Sequence, residues 1–289
     1  MQIIVNILYS AAAIVMLGLG FALIYRVARF FHFAHAFFVS LSPYLALVLV
    51  QRAGLSLLAA IPVAVVFSAA LACCLDLSVY RPLRRRGATP LVLLLASLGS
   101  YMALQNLVSM VFGDATKMLT ASNGISSWHV VGAQVAPIQV VTLLVAVVTV
   151  TGTGIFLGHT EAGKRIRAVA DNQILAEISG LATGRVILQA FAIGTLPAAA
   201  LGILLAVDVG MTPTMGMMPL MLGVVAAVVG GTSSACGIVI GALLIATCQQ
   251  LAVWFLGARW QEAAAFTVLL VFLIVRRKTF AVASMKSGG

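Results

Sequence analysis

The sequence predicts an all-α membrane protein, a single transmembrane domain over residues 1–289 with about eight to nine membrane segments, one of them short or broken. Apolar residues make up 62% of the chain and charged residues 8%, whereas a soluble domain carries about 25% charged residues. The apolar residues are also collected into separate runs of about 20, the length of a helix that crosses a bilayer. This composition excludes a water-soluble domain, because too few polar residues exist to cover its surface.

Six predicted spans lie within the first 207 residues, at about residues 6–25, 37–50, 55–79, 90–112, 137–157 and 186–207. No basic residue precedes the first run, so we expect it to remain as a membrane span and not to be removed as a signal peptide. Pro43 and Pro62 interrupt the second and third spans. Between the fourth and fifth spans, residues 113–136 are polar, and the pattern at 130–135 favours a small hairpin.

The spacing becomes irregular after the sixth span. An apolar run at about 220–229 is cut by small residues at 230–237, resumes at 238–256, and is followed by a last span at 263–275. The first of these runs is about ten residues long, which is too short for a full crossing. We therefore expect a half-membrane or broken helix. Such breaks are tolerated only where protein or a water-filled cavity surrounds them, and transporters hold polar cargo near them.

The basic residues indicate how the chain is oriented. The net charge is +10, but the basic residues lie in short clusters between apolar runs, with no basic face interleaved with aromatics, so nucleic-acid binding is excluded. Placing the arginine cluster at 81–86 in the cytoplasm leaves only Arg52, Lys117 and Arg259 outside. The N-terminus is then outside and the C-terminus cytoplasmic. An odd number of crossings follows, with a turn at 230–237 near the cytoplasmic side.

Residues 161–180 form the longest stretch that lacks a membrane-length apolar run and still has a helical pattern. One apolar stripe runs along this expected helix, basic residues fall mostly outside it, and Gly180 is the expected C-cap. The stripe consists of Ile166, Val169, Ala170 and Ile174. A short amphipathic helix between two membrane segments can be pressed against a partner outside the bilayer. The alternative is an ordinary connecting loop whose basic residues follow the orientation rule.

Candidate reactive residues are few. His32 and His35 are three apart among phenylalanines, and without a nearby carboxylate or cysteine they are weak evidence for a metal, so we expect them to line a pathway or anchor an interfacial helix. Asp76 is expected to pair with nearby arginines. Asp208 is either functional or an interfacial aspartate held by a helix end. The four cysteines are interpreted as small buried hydrophobes. No catalytic set, nucleotide loop or metal site is recognisable, so the chain is not expected to be an enzyme.

Four stretches, in order, resemble elements of the branched-chain amino acid ABC transporter permeases. They are HFAHA at 32–36, YRPLR at 80–84, GKRIRAVADN at 163–172 continuing to Gly180, and VVGGTSSACG at 228–237 followed by Gly241. The resemblance covers about residues 6–275 and is closest to the first of the two permease types that form the heterodimer. The chain departs from the family pattern at three positions: His32 replaces the usual Asn, Ala36 the usual Gly, and Ser233 a common Gly.

This resemblance implies the transmembrane permease subunit of an ATP-binding-cassette importer in the bacterial inner membrane, translocating branched-chain or related small amino acids or amides by alternating access. It implies as partners two ATP-binding subunits, a second homologous permease and a periplasmic or extracellular substrate-binding protein, with membrane lipid around the chain. No cofactor is expected on this chain, because ATP and Mg would bind the partner ATPase subunits. The alternative function is a stand-alone secondary transporter or channel for a small polar solute. A third possible function is that of an integral-membrane enzyme.

The resemblance also assigns residues. It implies that a short helix at 161–180 docks into the ATP-binding subunit, through Glu161, Gly163, Arg165, Ile166, Arg167, Val169, Ala170, Ile174 and Gly180. The expected substrate-pathway residues are His32, Phe33, His35, Gly230, Gly231, Ser233 and Ser234.

Overall fold

The computed structural model describes residues 1–119, 128–130 and 132–286. Within this part of the chain, eight helices are long and apolar enough to cross a membrane, and one further apolar helix is shorter. A two-stranded hairpin accompanies them. The predicted all-α polytopic fold is therefore confirmed.

The helices follow one another in a simple order. Their bounds are α1 Gln2–Ala28, α2 His35–Ala53, α3 Leu57–Leu75, α4 Arg81–Arg85, α5 Pro90–Phe112, α6 Pro137–His159, α7 Glu161–Asp171, α8 Gln173–Ile178, α9 Thr183–Asp208, α10 Met217–Gly230, α11 Ala235–Leu256 and α12 Gln261–Lys286. A π-helical stretch, Asp76–Tyr80, joins α3 to α4. The hairpin strands are β1 Trp128–Val130 and β2 Ala133–Val135.

The centre of the fold is α1, which packs against α6, α9, α10 and α11. Glycines let the backbones approach closely, as is common between membrane helices. A Cβ built at Gly20 would overlap the carbonyl oxygen of Gly194 in α9, and one built at Gly18 would lie 3.1 Å from the carbonyl oxygen of Gly223 in α10. By contrast, α5 and α6 bury few residues within the chain. Their apolar surfaces are left for lipid or for partner subunits.

The third span is longer than the sequence predicted, because the π-helical stretch continues it from Leu57 to Arg85. Asp76 and Tyr80, at the two ends of this stretch, are both buried. The Asp76 carboxylate is fully buried and accepts a hydrogen bond from Arg84 Nη2 at 2.6 Å. The predicted pairing of Asp76 with an arginine is therefore confirmed.

The polar connection between α5 and α6 is described only in part. The strands β1 and β2 pair antiparallel, with Trp128 opposite Val135, so the predicted hairpin is confirmed. Residues 120–127 and 131 lie outside the described residues. Before them, Lys117 and Met211 exchange two backbone hydrogen bonds of 3.0 and 2.8 Å, which tie this connection to the segment that follows α9.

The short helix predicted after α9 is confirmed. α10 has 14 residues, which at about 1.5 Å per residue is roughly 21 Å, well below the thickness of a bilayer core. The segment before it is irregular but enclosed by protein, as Ser40 Oγ accepts a hydrogen bond from the Gly216 amide at 3.0 Å. At its other end, Gly231 has a φ of +84° and ends the helix. A Cβ at Gly237 would overlap the carbonyl oxygen of Gly230, so these two glycines make the turn into α11 tight.

The interpretation of the cysteines as buried hydrophobes is wrong. Cys74 and Cys236 are exposed at the surface of the chain, Cys73 and Cys248 are partly exposed, and all four are free thiols. A thiol is apolar enough to face lipid or a partner helix, so an apolar run does not by itself place a cysteine in the core.

Candidate functional site

The segment from 161 to 180 forms two helices instead of the one that was predicted. Thr160 Oγ1 caps α7 by accepting a hydrogen bond from the Gly163 amide at 3.0 Å. Asn172 leaves the helical conformation with a φ of −147° and caps α8 through the Leu175 amide at 3.0 Å. An asparagine side chain competes for backbone hydrogen bonds in this way, which explains the break. Gly180, with a φ of +82°, closes the C-terminal end of α8 as predicted.

The apolar stripe of α7 is not available to a partner. Ile166, Val169 and Ala170 are exposed by only 1%, 0% and 7%. They pack within this chain against residues near the C-terminal end of α1 and the N-terminal end of α9, among them Ile24 and Val186. The expectation that these three side chains form a free docking surface is therefore wrong. Sequence periodicity identifies a buried stripe correctly but does not say which molecule buries it.

An exposed surface lies instead on α8. The side chains of Ile174, Leu175 and Ile178 are 72%, 60% and 78% exposed; we call these three residues the α8 apolar face. Three large aliphatic side chains exposed on one six-residue helix form a patch that a partner can bury. Ile174 belongs to this face because the break at Asn172 removes it from the α7 stripe. The sequence analysis missed Leu175 and Ile178, although an asparagine followed by new apolar positions was a signal of a second helix.

Charged residues of α7 are mostly at the surface. Glu161, Arg165 and Arg167 are exposed. Lys164 donates a hydrogen bond to Glu161 Oε1 at 3.0 Å, and this bond, with the charge of the ammonium, holds the pKa of the Glu161 carboxyl below its usual value. Gly163 has a structural role, because a Cβ there would overlap the carbonyl oxygen of Phe156 at the turn from α6.

Two arginines at the end of α1 connect α7 to the glycine-rich turn after α10. The Arg29 guanidinium donates a hydrogen bond to the carbonyl oxygen of Ala170. Arg26 lies 4.0 Å from the Asp171 carboxylate and donates to the carbonyl oxygen of Ser233 at 3.3 Å. The end of α1, α7 and the turn are therefore on one side of the helix bundle. This confirms that the turn at 230–237 lies on the same side as the 161–180 segment.

A cavity of about 360 Å³ opens beside this turn. Its lining is Phe21, Tyr25, Phe31, Ala227, Val228, Gly231, Thr232 and Ser233. The aromatic rings are close to one another, with centroids 5.8 Å apart for Phe21 and Tyr25 and 5.0 Å apart for Tyr25 and Phe31. Apolar ring faces and three hydroxyl-bearing side chains thus surround the space, which can hold a small molecule with both an apolar and a polar part.

The predicted pathway residues are only partly gathered at this cavity. Gly231 and Ser233 line it, and Phe33 stacks on a lining residue, Phe31, with centroids 6.5 Å apart. Gly230 is instead part of the tight turn into α11. Ser234 caps α11 by accepting a hydrogen bond from the Gly237 amide at 3.3 Å. Sequence reasoning missed the aromatic residues Phe21 and Tyr25, which are seven and three residues from the end of α1 and look like ordinary membrane-span residues.

The two histidines are buried away from the cavity. His32 and His35 are 1% and 0% exposed. The His32 ring packs against Phe191 and Tyr80, with centroids 4.9 and 5.4 Å apart, and its Nδ1 lies 3.5 Å from Ser97 Oγ. No group of three or more potential metal ligands is found among the described residues. In this arrangement the histidines belong to the aromatic core that joins α1, α2 and α9.

Asp208 is held by a neighbouring helix. The Tyr9 hydroxyl donates a hydrogen bond of 2.6 Å to Asp208 Oδ2. Of the two interpretations left open by the sequence, this contact favours an aspartate that joins the N-terminal part of α1 to the C-terminal end of α9.

In the described part of the chain, eight apolar spans, with α1 at their centre, and a short helix that ends at a glycine-rich turn beside a cavity define a multi-pass helical membrane protein. Comparison with known families identifies its kind. The model of the family described as branched-chain amino acid transport system / permease component matches residues 3–275. The chain therefore belongs to this permease family.

Relatives support the assignment over most of the chain. It is 29% identical to the high-affinity branched-chain amino acid transport system permease protein LivH of Escherichia coli, over 90% of this chain and 88% of the relative. It is 25% identical to the corresponding protein BraD of Pseudomonas aeruginosa, over 96% of this chain and 94% of the relative.

One solved structure is similar in fold. The structure described as PsaBC from Streptococcus pneumoniae in complex with Fab aligns with a TM-score of 0.52 over 94% of this chain and 91% of that chain. The sequence identity is 11%, so this likeness concerns the fold alone.

Proposed function

We propose that the chain is the transmembrane permease subunit of an ATP-driven importer for branched-chain or related small amino acids or amides in the bacterial inner membrane. The observation that carries this proposal is the family match over residues 3–275, with relatives that are named as permeases for branched-chain amino acids. The same match favours an importer subunit over a stand-alone transporter. The N-terminus is proposed to lie outside and the C-terminus in the cytoplasm, in keeping with the positive-inside rule.

ATP hydrolysis is assigned to two partner subunits, which bind ATP and Mg, and the chain itself takes no cofactor. The α8 apolar face is the surface proposed to dock an ATPase subunit, because its side chains are 60–78% exposed and lie on the side proposed to be cytoplasmic. Burial of aliphatic side chains supplies the affinity, and the exposed Arg165 and Arg167 add orientation and association rate. Glu161 pairs with Lys164 in the first turn of α7. Gly163 allows the close turn from α6, and Gly180 closes the C-terminal end of α8.

The buried α7 stripe then transmits the movement. A force on α8 reaches the core through Ile166, Val169 and Ala170, which are packed and cannot slide freely. Arg29 fixes α7 to the end of α1, and Arg26 reaches the turn that lines the cavity. Closure of the ATPases would thus move the inner ends of α1 and α10 together. This linkage offers a physical route for alternating access at the cavity.

The cavity is proposed as part of the cargo pathway. Phe21, Tyr25 and Phe31 offer an apolar surface for an aliphatic side chain, while Thr232 and Ser233 offer hydroxyl groups to the polar end of an amino acid. A second homologous permease would complete the pathway, and a periplasmic or extracellular binding protein would deliver the cargo. The aromatic and aliphatic side chains in the lining favour amino acids with branched aliphatic side chains over charged ones.

The test is co-expression with candidate ATPases, a second permease and a binding protein of this transport class from the same genome, followed by ATPase assays on the purified complex. We expect co-purification, and stimulation of ATP hydrolysis by binding protein loaded with leucine, isoleucine or valine. The panel should also include small amides and small carboxylates. Stimulation by a carboxylate alone would overturn the cargo class, and a failure of all ATPases to co-purify would overturn the importer proposal.

A further inference from the structure

A second cavity, of about 330 Å³, lies where α4, α8 and α9 meet, and the function proposed above does not use it. We call it the basic pocket. Three arginines contribute to its lining, with polar groups of α8 and the first turn of α9 opposite them. The residues used below are Arg81, Arg84, Arg85, Glu177, Thr183 and Gly184.

The basic pocket keeps an uncompensated positive charge. Arg84 is paired with Asp76 at 2.6 Å, and the Glu177 carboxylate accepts a hydrogen bond from the Thr183 hydroxyl at 2.6 Å. In the described part of the chain, neither Arg81 nor Arg85 has a carboxylate within 4.0 Å. The Nη1 atom of Arg84 is buried and has no hydrogen-bond partner there either. Guanidinium N–H groups that lack a partner favour an anionic ligand.

The start of α9 lies opposite the arginines and adds groups that favour the binding of an anion. The Nε and Nη2 atoms of Arg81 lie 3.9 Å from the position that a Cβ would take on Gly184. The absence of a side chain at Gly184 therefore leaves room between the guanidinium and the backbone. Ala182 at the N-cap offers no side-chain acceptor to the first amides of α9. Free amides and the helix dipole at such an end favour a negative charge.

The depth of the pocket fits the headgroup layer of a bilayer. From Leu57 at the start of α3 to Arg81 the chain stays helical, and 24 residues at about 1.5 Å each give about 36 Å. The hydrocarbon core is about 30 Å thick and the bilayer with its headgroups about 40–45 Å. Arg81 and Arg85 therefore fall where lipid phosphates lie. The first turn of the long helix α9 reaches the same level.

We propose that the basic pocket binds a phosphate group, and that the headgroup of an anionic phospholipid supplies it. Guanidinium forks match phosphate oxygens in geometry and charge, and basic pockets between membrane helices are suited to anionic headgroups. The bound lipid would bridge α4 to the α8–α9 corner. It would thereby steady the helix that carries the α8 apolar face. This proposal is independent of the cargo.

The test is native mass spectrometry of the delipidated full-length chain in detergent, titrated with phosphatidylglycerol, phosphatidylcholine or glycerol 3-phosphate. We expect one phosphatidylglycerol to bind in preference to phosphatidylcholine. Each arginine near an anionic surface contributes about five-fold in affinity, so Arg81→Gln/Arg85→Gln should weaken binding roughly 25-fold. Gly184→Leu, which fills the pocket and keeps all charges, should also weaken it at least ten-fold.

Arg86→Gln is the matched control, because Arg86 is exposed beside Arg85 but does not line the pocket. We expect its affinity for phosphatidylglycerol to stay within two-fold of wild type. Circular dichroism and thermal unfolding establish that each variant is folded. Equal losses of affinity in Arg86→Gln and in Arg81→Gln/Arg85→Gln, or no loss in the double variant, would overturn the site. Competition by glycerol 3-phosphate as effective as that by the lipid would overturn the lipid as the source of the phosphate.

Discussion

Truncation of the α8 apolar face should weaken ATPase docking while leaving the permease folded. Ile178 is 78% exposed, and Ile178→Ala removes three carbon atoms from it. At about 0.8 kcal/mol per buried CH₂ group, transfer of these three atoms from water to an apolar interface is worth about 2.4 kcal/mol. Because the side chain is 78% exposed before docking, burial of that exposed part is worth about 1.9 kcal/mol. Because docking rarely buries a side chain completely, we expect a loss of about 1–2 kcal/mol, or roughly 5- to 30-fold in Kd.

The assay is surface plasmon resonance of the purified ATPase subunit on the permease in nanodiscs. Ile155→Ala is the control, because Ile155 is 61% exposed on α6 and outside the proposed docking surface. Ile166→Ala gives the contrast: this side chain is 1% exposed, so its loss should cost about 2–5 kcal/mol of folding stability. An Ile178→Ala permease that binds the ATPase within two-fold of wild type would refute the reasoning, since the face would then contribute nothing to docking.

Three further outcomes are expected. In a cysteine-free background, Asn123→Cys should react with an impermeant thiol reagent from outside and Asp171→Cys only from the cytoplasm; labelling of both positions from the same side would overturn the proposed orientation. Gly237→Val should lower the unfolding temperature in detergent, because its side chain would overlap the facing backbone at the turn into α11 and overpacking costs about 1–3 kcal/mol; an unchanged temperature would mean that the turn is loose. Arg84→Gln should cost about 3–5 kcal/mol in thermal unfolding by leaving Asp76 buried without a partner, and Asp76→Asn/Arg84→Gln should recover part of it; no loss in the single variant would contradict this account.

The membrane spans could be predicted from the sequence because the bilayer imposes one length on every crossing helix. The break after α10 could be predicted for the same reason, since its apolar run was too short and was followed by small residues. The details of that turn could not be predicted from the sequence. Gly231 is non-helical, with a φ of +84°, and has open space within 4 Å of its Cβ position among the described residues. The close approach lies between Gly230 and Gly237, because it depends on the angle at which two helices meet.

The candidate site was predicted less completely. The periodicity of Ile166, Val169 and Ala170 identified a buried face, but burial against the same chain and burial against a partner leave the same pattern in a sequence. Asn172 interrupts a pattern that otherwise continues, and its capping role decides where Ile174 points. Two of the three aromatic lining residues, Phe21 and Tyr25, come from α1, where nothing in the sequence distinguishes them from the other apolar residues of the span. Only the packing of α1 against α10 separates those that face a cavity from those that face the core.

ATP-driven uptake by the complete complex in proteoliposomes tests the central claim most directly. The measurement is accumulation of radiolabelled leucine with the binding protein and ATP on their respective sides, in the presence of ionophores that abolish ion gradients. The account predicts accumulation that requires ATP and the binding protein, survives the ionophores, and falls with Ile174→Ala/Ile178→Ala. Uptake that needs no ATP and is abolished by the ionophores would contradict it.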